Sequence, residues 1–562
     1  MDVSKQTPFR VGDWHVDPAC GRMIRDGKVI KLEPRVMDVL VYLAGRPGQV
    51  VTRDELEAKV WVGRVISYDA LTSTVQKLRK AFADDARKPR IIETISKKGY
   101  RLVAPVSLPD ASLKMEQFHE NIALTSRHRG LWLRAGVVTA LILVLATVAA
   151  LVRVGPWKVP TDMAGQEVTP NSIAVLPFDN LSGDPAQEYF ADGMTDDLIT
   201  KLARNPDLLV IARDSSFLYK GRPVDIRDVA EKLKVHYILH GSIRRAGEQI
   251  WFNAQLIDAT TESHLWAERY DGHLGNVFAL QDDIVGNILS ALSIRGSMEE
   301  SAGDRQQETG SQEAYDYFLH GRNRFFLYAS KDDNRKAREL YQKAIELDPD
   351  FALAYAMLAW TYAFEAMNGW SEVREESLAQ AHALATRAIV SDKELPIAYF
   401  VRGLVYRERG EYMKALVEAE KAIAIDSNYA NAHVLLATLL YYTGRPQEGL
   451  ERIKKAMKLN PHHPYNYPFH LGQAYFILGR YQEAIEALEQ GLGTNPSSER
   501  MRVWLAAAYA QAGREEDAKW EAEQVLALNP DFSLQRIRQA FPFKDPADIE
   551  RFLDGLRIAG IK

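Results

Sequence analysis

The chain has 562 residues, which is too long for a single hydrophobic core and predicts several domains. Its composition, 46% hydrophobic and 26% charged residues, is that of folded protein and excludes a disordered or collagen-like chain. The one cysteine, Cys20, excludes an internal disulfide and any metal site built from several thiolates.

Charge is distributed unevenly along the chain. Residues 1–107 contain 20 Lys and Arg against 13 Asp and Glu, a net of +7, whereas residues 161–562 contain 44 against 59, a net of −15. A basic amino-terminal region ahead of an acidic body indicates a polyanionic partner for that region. Ordinary surface charge would account for +7 equally well.

The amino-terminal region is predicted to begin with short strands, among which Asp26-Gly27 is a strong hairpin turn signal. Three helices should follow these strands. Pro34 can begin the first helix, and Thr52 with Glu55 forms a capping box at the start of the second.

The third helix is predicted from about Tyr68 to Ala83. Its apolar residues recur at helical spacing and should face the core: Leu71, Val75, Leu78 and Phe82. Its polar residues then form a candidate DNA-reading face: Thr72, Ser73, Gln76, Lys77, Arg79 and Lys80. In a major groove Gln76 suits adenine and Arg79 suits guanine, while the two lysines suit phosphates. For this helix considered by itself, a solvated charged face is the simpler explanation.

The next segment, IIETISKKGYRLVAPV, predicts two strands joined at Ser96–Gly99. Lys97, Lys98 and Arg101 lie at or near the tip of this hairpin. A basic hairpin beside an outward-facing polar helix is typical of a wing that contacts the DNA backbone or minor groove. The two features together favour DNA binding by residues 1–107.

Three stretches, VVTRDELEAKVW, LTSTVQKLRKAF and RKPRIIETISKKGYRLVAPV, resemble the OmpR/PhoB-type winged-helix family over about 95 residues. The resemblance implies that Tyr68–Ala83 is the recognition helix, Lys97–Arg101 the wing and Val62–Ser67 a loop that can touch RNA polymerase. Response regulators of this family carry a receiver domain before the winged helix, for which the residues ahead of the first strand leave no room. We therefore expect control from elsewhere in the chain, as in the CadC/ToxR-like membrane-bound regulators that it resembles.

The segment Ala135–Val152 is eighteen residues without a charge, about 27 Å of helix against a bilayer core of about 30 Å. It predicts a transmembrane helix over 131–153, between linkers at 108–130 and 154–170; a buried core helix would rarely be apolar on every face. Basic residues are more frequent before the segment than after it. This excess predicts a bacterial inner-membrane location, single-pass, with a cytoplasmic amino terminus and a periplasmic carboxy terminus.

Residues 171–295 predict an α/β domain, because apolar strands such as 172–178 alternate with helices such as Tyr189–Ala203. Four carboxylates at the start of that helix could suggest metal or acid–base chemistry, but the helix dipole explains them more simply: Glu188, Asp192, Asp196 and Asp197. The stretch AVLPFDNLSGDPAQEYFADGMTDDLITKLA resembles the TolB-type amino-terminal domain, which implies no activity.

Residues 312–535 repeat one pattern. Four Gly turns begin 34, 35 and 34 residues apart, at Gly410, Gly444, Gly479 and Gly513, and Asn-Pro pairs stand between them. This is the period of tetratricopeptide repeats, so five or six stacked helix pairs are predicted, with 536–562 as a cap. Such stacks form a concave groove that usually binds a protein or peptide.

The sequence thus predicts a multidomain fold: an α+β winged helix, one transmembrane helix, an α/β middle domain and an all-α tetratricopeptide solenoid. The predicted function is that of a membrane-bound, one-component transcriptional regulator. It would bind double-stranded DNA as a homodimer, under the control of extracytoplasmic domains that bind a protein or peptide. The alternative is a membrane-anchored interaction scaffold with weak or lost DNA binding. We expect no enzyme, cofactor or metal, because no nucleophile–base pair, phosphate loop or metal-ligand spacing is found.

Overall fold

A computed structural model describes residues 9–107, 169–294, 309–535, 537 and 543–562, apart from the short gaps 19–20, 26–27, 33, 61–67, 83, 85–88, 96–97, 170 and 328–329. The chain divides into two compact units. One contains residues 1–56 and 75–167, and the other contains residues 57–74 and 168–562.

Four short strands open the chain as an antiparallel meander. They are β1 (Phe9–Val11), β2 (Trp14–Asp17), β3 (Arg22–Arg25) and β4 (Lys28–Lys31). The short strand β8 (Val106–Ser107) pairs with β1, which gives the order β4-β3-β2-β1-β8. Because Arg25 and Lys28 are register partners, the predicted hairpin is confirmed, although its turn residues Asp26 and Gly27 lie outside the described residues.

Three helices and a second sheet complete the winged helix. They are α1 (Pro34–Ala44), β5 (Val50–Thr52), α2 (Arg53–Val60), α3 (Tyr68–Phe82), β6 (Ile92–Ile95) and β7 (Gly99–Leu102). The sheet order is β5-β7-β6, and β6 with β7 forms the wing. The Thr52 hydroxyl accepts a hydrogen bond from the Glu55 amide at 3.1 Å, so the predicted cap of α2 is confirmed. The rings of Trp14 and Phe82 meet edge to face with centroids 5.8 Å apart.

The middle region is a mixed sheet with helices. Its elements are β9 (Ser172–Val175), β10 (Asp179–Asn180), α4 (Glu188–Ala203), β11 (Leu209–Val210), α5 (Arg213–Ser216), α6 (Ile226–Leu233), β12 (Tyr237–Ala246), β13 (Gln249–Asp258), β14 (Ser263–His273) and α7 (Val277–Ala291). The order is β11-β9-β12-β13-β14, and β10 pairs with β12. Strand β9 is buried at all four residues because it lies between β11 and β12, and its residues after Ser172 are apolar, which confirms the predicted α/β region.

The carboxy-terminal region consists of paired antiparallel helices. They are α8 (Gln312–Leu327), α9 (Lys331–Leu347), α10 (Ala352–Met367), α11 (Arg374–Ser391), α12 (Pro396–Glu408), α13 (Tyr412–Ile425), α14 (Ala430–Tyr442), α15 (Pro446–Leu459), α16 (Asn466–Ile477), α17 (Tyr481–Thr494), α18 (Glu499–Gln511), α19 (Glu515–Leu528) and α20 (Pro546–Ile558). The four predicted Gly turns have φ between +74° and +80°, a left-handed conformation that ends the first helix of each pair. The tetratricopeptide architecture is confirmed.

The predicted transmembrane element requires a correction. Its segment, 131–153, lies outside the described residues, and no helix that the structure describes is long and apolar enough to cross a membrane. A span needs about 20 apolar residues. The longest described helix, α11, has 18 residues and includes Arg374, Glu375 and Arg387, while the more apolar α10 has only 16. The transmembrane part of the predicted fold class and the inner-membrane topology derived from it are therefore wrong on this finding.

Candidate nucleic-acid interface and repeat surface

Helix α3 exposes its candidate DNA-reading residues to different degrees. Gln76 and Lys80 are exposed, whereas Thr72, Lys77 and Arg79 are half-buried; the side chain of Ser73 lies outside the described residues. The four apolar residues of the opposite face are buried as predicted: Leu71, Val75, Leu78 and Phe82. Gln76 and Lys80 are therefore the most accessible of the five whose side chains the structure describes.

Arg79 contacts the wing. Its Nε and Nη2 donate to the Ile92 carbonyl oxygen at 3.3 and 3.0 Å, and Nη2 also donates to the Thr94 hydroxyl at 2.7 Å. Both acceptors lie on β6, the first wing strand. Arg79 is therefore a positioning residue that joins the end of α3 to the wing, a role that the periodicity of α3 does not reveal.

The wing contains a second arginine with a protein partner. Nε and Nη2 of Arg101 donate to one carboxylate oxygen of Glu93 at 2.9 and 2.6 Å, between register partners of β6 and β7. This pair supports the hairpin and offsets part of its positive charge. Lys98 is exposed at the tip, and Lys97 lies outside the described residues. The turn at 96–99 already places residues 93 and 101 opposite each other, so this pair could have been found from the sequence.

Gly99 sets the close approach of two strands in the wing sheet. A Cβ atom on Gly99 would lie 2.0 Å from the Val51 carbonyl oxygen and 2.9 Å from Thr52 Cα. Only glycine fits between the wing and β5 at this point. The glycine of the KKGY motif is therefore explained by packing, and it connects the wing to the cap residue of α2.

Buried charges join the middle region to the first repeat. Arg322 on α8 is 7% exposed, and its Nη1 lies 2.7 Å from one carboxylate oxygen of Asp197 and 3.3 Å from Asp196 on α4. The hydroxyl of Tyr315 and the amide of Gln281 donate to the other oxygen of Asp197. The prediction from the sequence was that the helix dipole accounts for these carboxylates. In the structure, Asp196 and Asp197 also pair with Arg322, which is more than 100 residues away.

Loops of the repeats also contact the middle region. The Asn428 side-chain amide donates to the carbonyl oxygens of Ala203 and Leu208, both at 2.9 Å, and its oxygen accepts from the Val210 amide at 3.3 Å. Further along the repeats, the Asn460 side-chain oxygen accepts from the Ser215 hydroxyl at 2.5 Å. Part of the repeat surface therefore already binds a protein partner, namely the middle region of the same chain.

Asp426 prepares Asn428 for this contact, since its carboxylate accepts from the Asn428 backbone amide at 2.8 Å. Burial raises the pKa of Asp426 from 3.8 to about 7, against the smaller opposing effects of that hydrogen bond and of Arg204. A raised carboxyl pKa means that the folded state binds more protons than the unfolded state between pH 4 and 7. Stability from this group is therefore complete below pH 4 and lost as the pH rises through 7.

We expect Asp426→Asn to stabilise the protein at pH 7.5 by about 2 kcal/mol, because a neutral amide removes the cost of a buried charge and can still accept the bond. The measurement is urea unfolding at pH 4.5 and 7.5, with the exposed Asp350→Asn as the control. Equal stability of the Asp426→Asn variant and the wild type at pH 7.5 would contradict the prediction.

Family models match each of the three regions. The carboxy-terminal domain of transcriptional regulatory proteins matches residues 27–102, and the second domain of HilA/YgeH-like transcriptional regulators matches residues 169–287. Tetratricopeptide-repeat models match stretches between residues 326 and 540. The resemblance of residues 174–203 to a TolB-type domain stays a prediction.

Three curated relatives place these matches in context. "Putative adenylate cyclase 3" of Rhizobium meliloti is 42% identical over 251 residues, 45% of this chain and 42% of that protein. "Transcriptional activator CadC" of Escherichia coli is 23% identical over 508 residues, 81% of this chain and 94% of that protein. "Cholera toxin transcriptional activator" of Vibrio cholerae is 31% identical over 91 residues, 16% of this chain and 31% of that protein. The chain thus spans less than half of the first and third relatives and nearly all of the second.

The fold and these matches define a class of protein, a winged-helix DNA-binding domain followed by an α/β region and helical repeats. Within that class they support a regulator similar to CadC. The amino-terminal DNA-binding domain of the present chain is of the OmpR/PhoB type, and the carboxy-terminal region of the chain consists of tetratricopeptide repeats.

Proposed function

We propose that this protein activates transcription by binding promoter DNA through helix α3 and the wing. The observation that carries the proposal is the bond network of Arg79, which fixes a helix with exposed Gln76 and Lys80 beside a wing with exposed Lys98. A helix in the major groove and a wing on the backbone bind DNA as one rigid surface. Activation, rather than repression, is proposed because the relatives in Escherichia coli and Vibrio cholerae are named transcriptional activators.

The side chains divide into two roles under this proposal. Gln76 would read a base edge, because an amide can pair with adenine through two hydrogen bonds. Lys80 and Lys98 would contact phosphates, and such contacts strengthen binding without selecting a sequence. Thr72, Ser73, Lys77 and Lys97 stay predicted contacts, and Arg79 and Arg101 would act mainly by holding the wing in place.

We expect Lys98→Ala to weaken promoter binding about equally for all sequences and to reduce its salt dependence by close to one phosphate contact. Gln76→Ala should instead reduce discrimination against one mismatched base pair, by about 1–3 kcal/mol. The measurement is binding of the full chain to promoter fragments across a salt series. Arg10→Ala is the control, because Arg10 is an exposed cation on β1, in the other sheet of the winged helix. Binding that resembles wild type in both variants would refute this assignment of the interface.

The rest of the chain would regulate the DNA-binding domain. We propose that the repeats bind a protein or peptide on surface not taken by the middle region, and that this binding changes how two copies occupy one promoter. The loop Val62–Ser67, which lies outside the described residues, would contact RNA polymerase as in the family it resembles. An interaction scaffold without DNA binding is the second candidate, and sequencing of DNA bound in cells distinguishes the two, since a scaffold would enrich no sites.

We also propose that the chain is not an enzyme. The clustered carboxylates of α4, which first suggested chemistry, lie in ion pairs with Lys220, Arg213 and Arg322. Such pairs account for their position without a reaction. The name of the Rhizobium meliloti relative contains adenylate cyclase, but this chain spans only 42% of that protein.

A further inference from the structure

The two edges of the middle sheet differ. At one edge, the amides of Val210 and Ala212, in and just after β11, donate to Asn428 and to the Leu459 carbonyl oxygen of the repeats, at 3.3 and 2.8 Å. At the other edge, β14 pairs with β13 and with no other strand that the structure describes. Among the described residues, the repeats therefore cover the first edge, and no strand covers the second.

Strand β14 is long and accessible. It has 11 residues without proline, all of them exposed or half-buried, and its pairing with β13 is regular from Trp266 to His273. One face is partly covered by α7, where Asn287 donates to the Tyr270 hydroxyl at 2.7 Å. The other face carries Arg269 and Asp271, whose side chains are 62% and 63% exposed. They form an ion pair along the strand, in which Arg269 Nε donates to the Asp271 carboxylate at 3.1 Å. An open edge of this length is a template for strand addition.

We infer that β14 pairs antiparallel with β14 of a second copy, centred on Tyr270. The symmetry of such a pair limits its register. A two-fold axis perpendicular to the sheet keeps each residue and its copy on the same face, and opposite residues of paired strands also share a face. Residues that face each other must therefore be an even number of positions apart in the sequence, as Arg269 and Asp271 are.

The charges of β14 then favour one register among those centred on residues 268–271, the middle of the regularly paired part of the strand. Centring on Glu268, Arg269 or Asp271 would place that charged residue opposite its own copy. Centring on Tyr270 instead places Arg269 opposite Asp271 of the second copy, twice by symmetry, so that each charge of the ion pair within one strand also faces an opposite charge across the interface. Opposite charges across strands stabilise a pair and like charges destabilise it. The strand is self-complementary in this register.

The inference rests on the proposed function in one respect, because a dimer would bring two winged helices to a promoter. The surface itself is argued from the sheet alone. A dimer of this kind is isologous, so it closes and does not grow into a filament. The middle region would therefore set the number of DNA-binding domains, independently of any ligand of the repeats.

The test is a charge swap measured by light scattering on the full chain without DNA. We expect wild type to form a dimer, and Arg269→Asp and Asp271→Arg each to weaken it about tenfold or more, because each places like charges opposite each other twice. The double variant R269D/D271R restores opposite charges and should restore the dimer. Arg227→Asp is the control, since Arg227 forms an exposed ion pair with Glu262 outside β14.

Three results would overturn the inference. Wild type could be a monomer at the highest concentration at which it stays in solution. In that case β14 pairs with a strand of another protein or with no further strand. Both single variants could dimerise like wild type, or the double variant could stay monomeric. A monomer that still binds promoter DNA, with the effect of Lys98→Ala intact, would overturn this inference and leave the proposed function standing.

Discussion

Replacing Arg322 with alanine should lower the free energy of unfolding of the second unit by about 3–5 kcal/mol. Arg322 is 7% exposed, its Nη1 donates to Asp197 at 2.7 Å, and its Nη2 donates to the Gly193 carbonyl oxygen at 2.7 Å. Its removal leaves Asp197, which is 3% exposed, as a buried charge without a cation at that distance. The cost arises mainly from the carboxylate that remains, so Arg322→Met, which restores much of the volume, should be nearly as destabilising.

The measurement is urea unfolding followed by circular dichroism at 222 nm, which reports mainly on the repeat helices. Arg335→Ala is the matched control, because Arg335 forms ion pairs with Asp332 and Glu339 on the exposed surface of α9. Surface pairs of this kind contribute little, so the control should unfold like wild type. Wild-type stability in both Arg322 variants would show that the buried pair does not hold the two regions together.

Replacing Gly99 with alanine should destabilise the wing by about 3 kcal/mol, because the new Cβ would lie 2.0 Å from the Val51 carbonyl oxygen. Relief requires β5 and β7 to separate, and Thr52, the cap of α2, lies directly at this contact. Displacement of the wing also separates Lys98 from the helix that it accompanies. We therefore expect promoter affinity to fall at least tenfold, since about 1.4 kcal/mol corresponds to a factor of ten.

Hydrogen exchange of the amides in β6 and β7 measures this effect in the full chain, because local opening of the wing exposes them first. Gly45→Ala is the control, since its nearest neighbours would be carbonyl oxygens of α1 at 3.6 Å, an ordinary contact distance. If the wing amides of the Gly99→Ala variant exchange as slowly as those of wild type, β5 moves away from the new Cβ without destabilising the wing. Lost protection with full promoter affinity would instead remove the wing from the DNA interface.

Local signals explain why much of the fold was predictable. The cap of α2 depends on Thr52 and Glu55, three residues apart, and each Gly turn of the repeats depends on one left-handed residue. Because the turn pattern recurs every 34 or 35 residues, a signal that is weak in one repeat becomes clear over several repeats. The winged helix, the α/β region and the repeats were found in this way.

Contacts between distant segments explain most of what was missed. Strands β5 and β8 have three and two residues, too few for an alternating pattern, and exist because β7 and β1 pair with them. The partner of Asp197 is 125 residues away, so no local pattern in the sequence indicates this ion pair. The bonds of Arg79 to β6 were not predicted, because periodicity gives the face of a helix but not the strand that packs beside it.

The transmembrane prediction failed for a different reason. It rested on hydropathy and length within one segment, and the segment is outside the described residues. The helices that the structure does describe are too short or carry too many charges for a bilayer. Hydropathy measures the preference of a segment for an apolar environment and does not identify that environment, so it could not replace a structural observation here.

The contacts of Asn428 and Arg322 also affect how the chain can be cut. One continuous hydrophobic core includes residues from Ile173 in the sheet to Leu358 in the second repeat. The middle region and the first repeats therefore form one folding unit. Regions that share a core melt together and refold together. A fragment of the repeats alone would expose the surface that normally covers β11 and would be prone to aggregate. Expression boundaries for the second unit are therefore better placed before Ser172 and at the carboxy terminus than between its two halves.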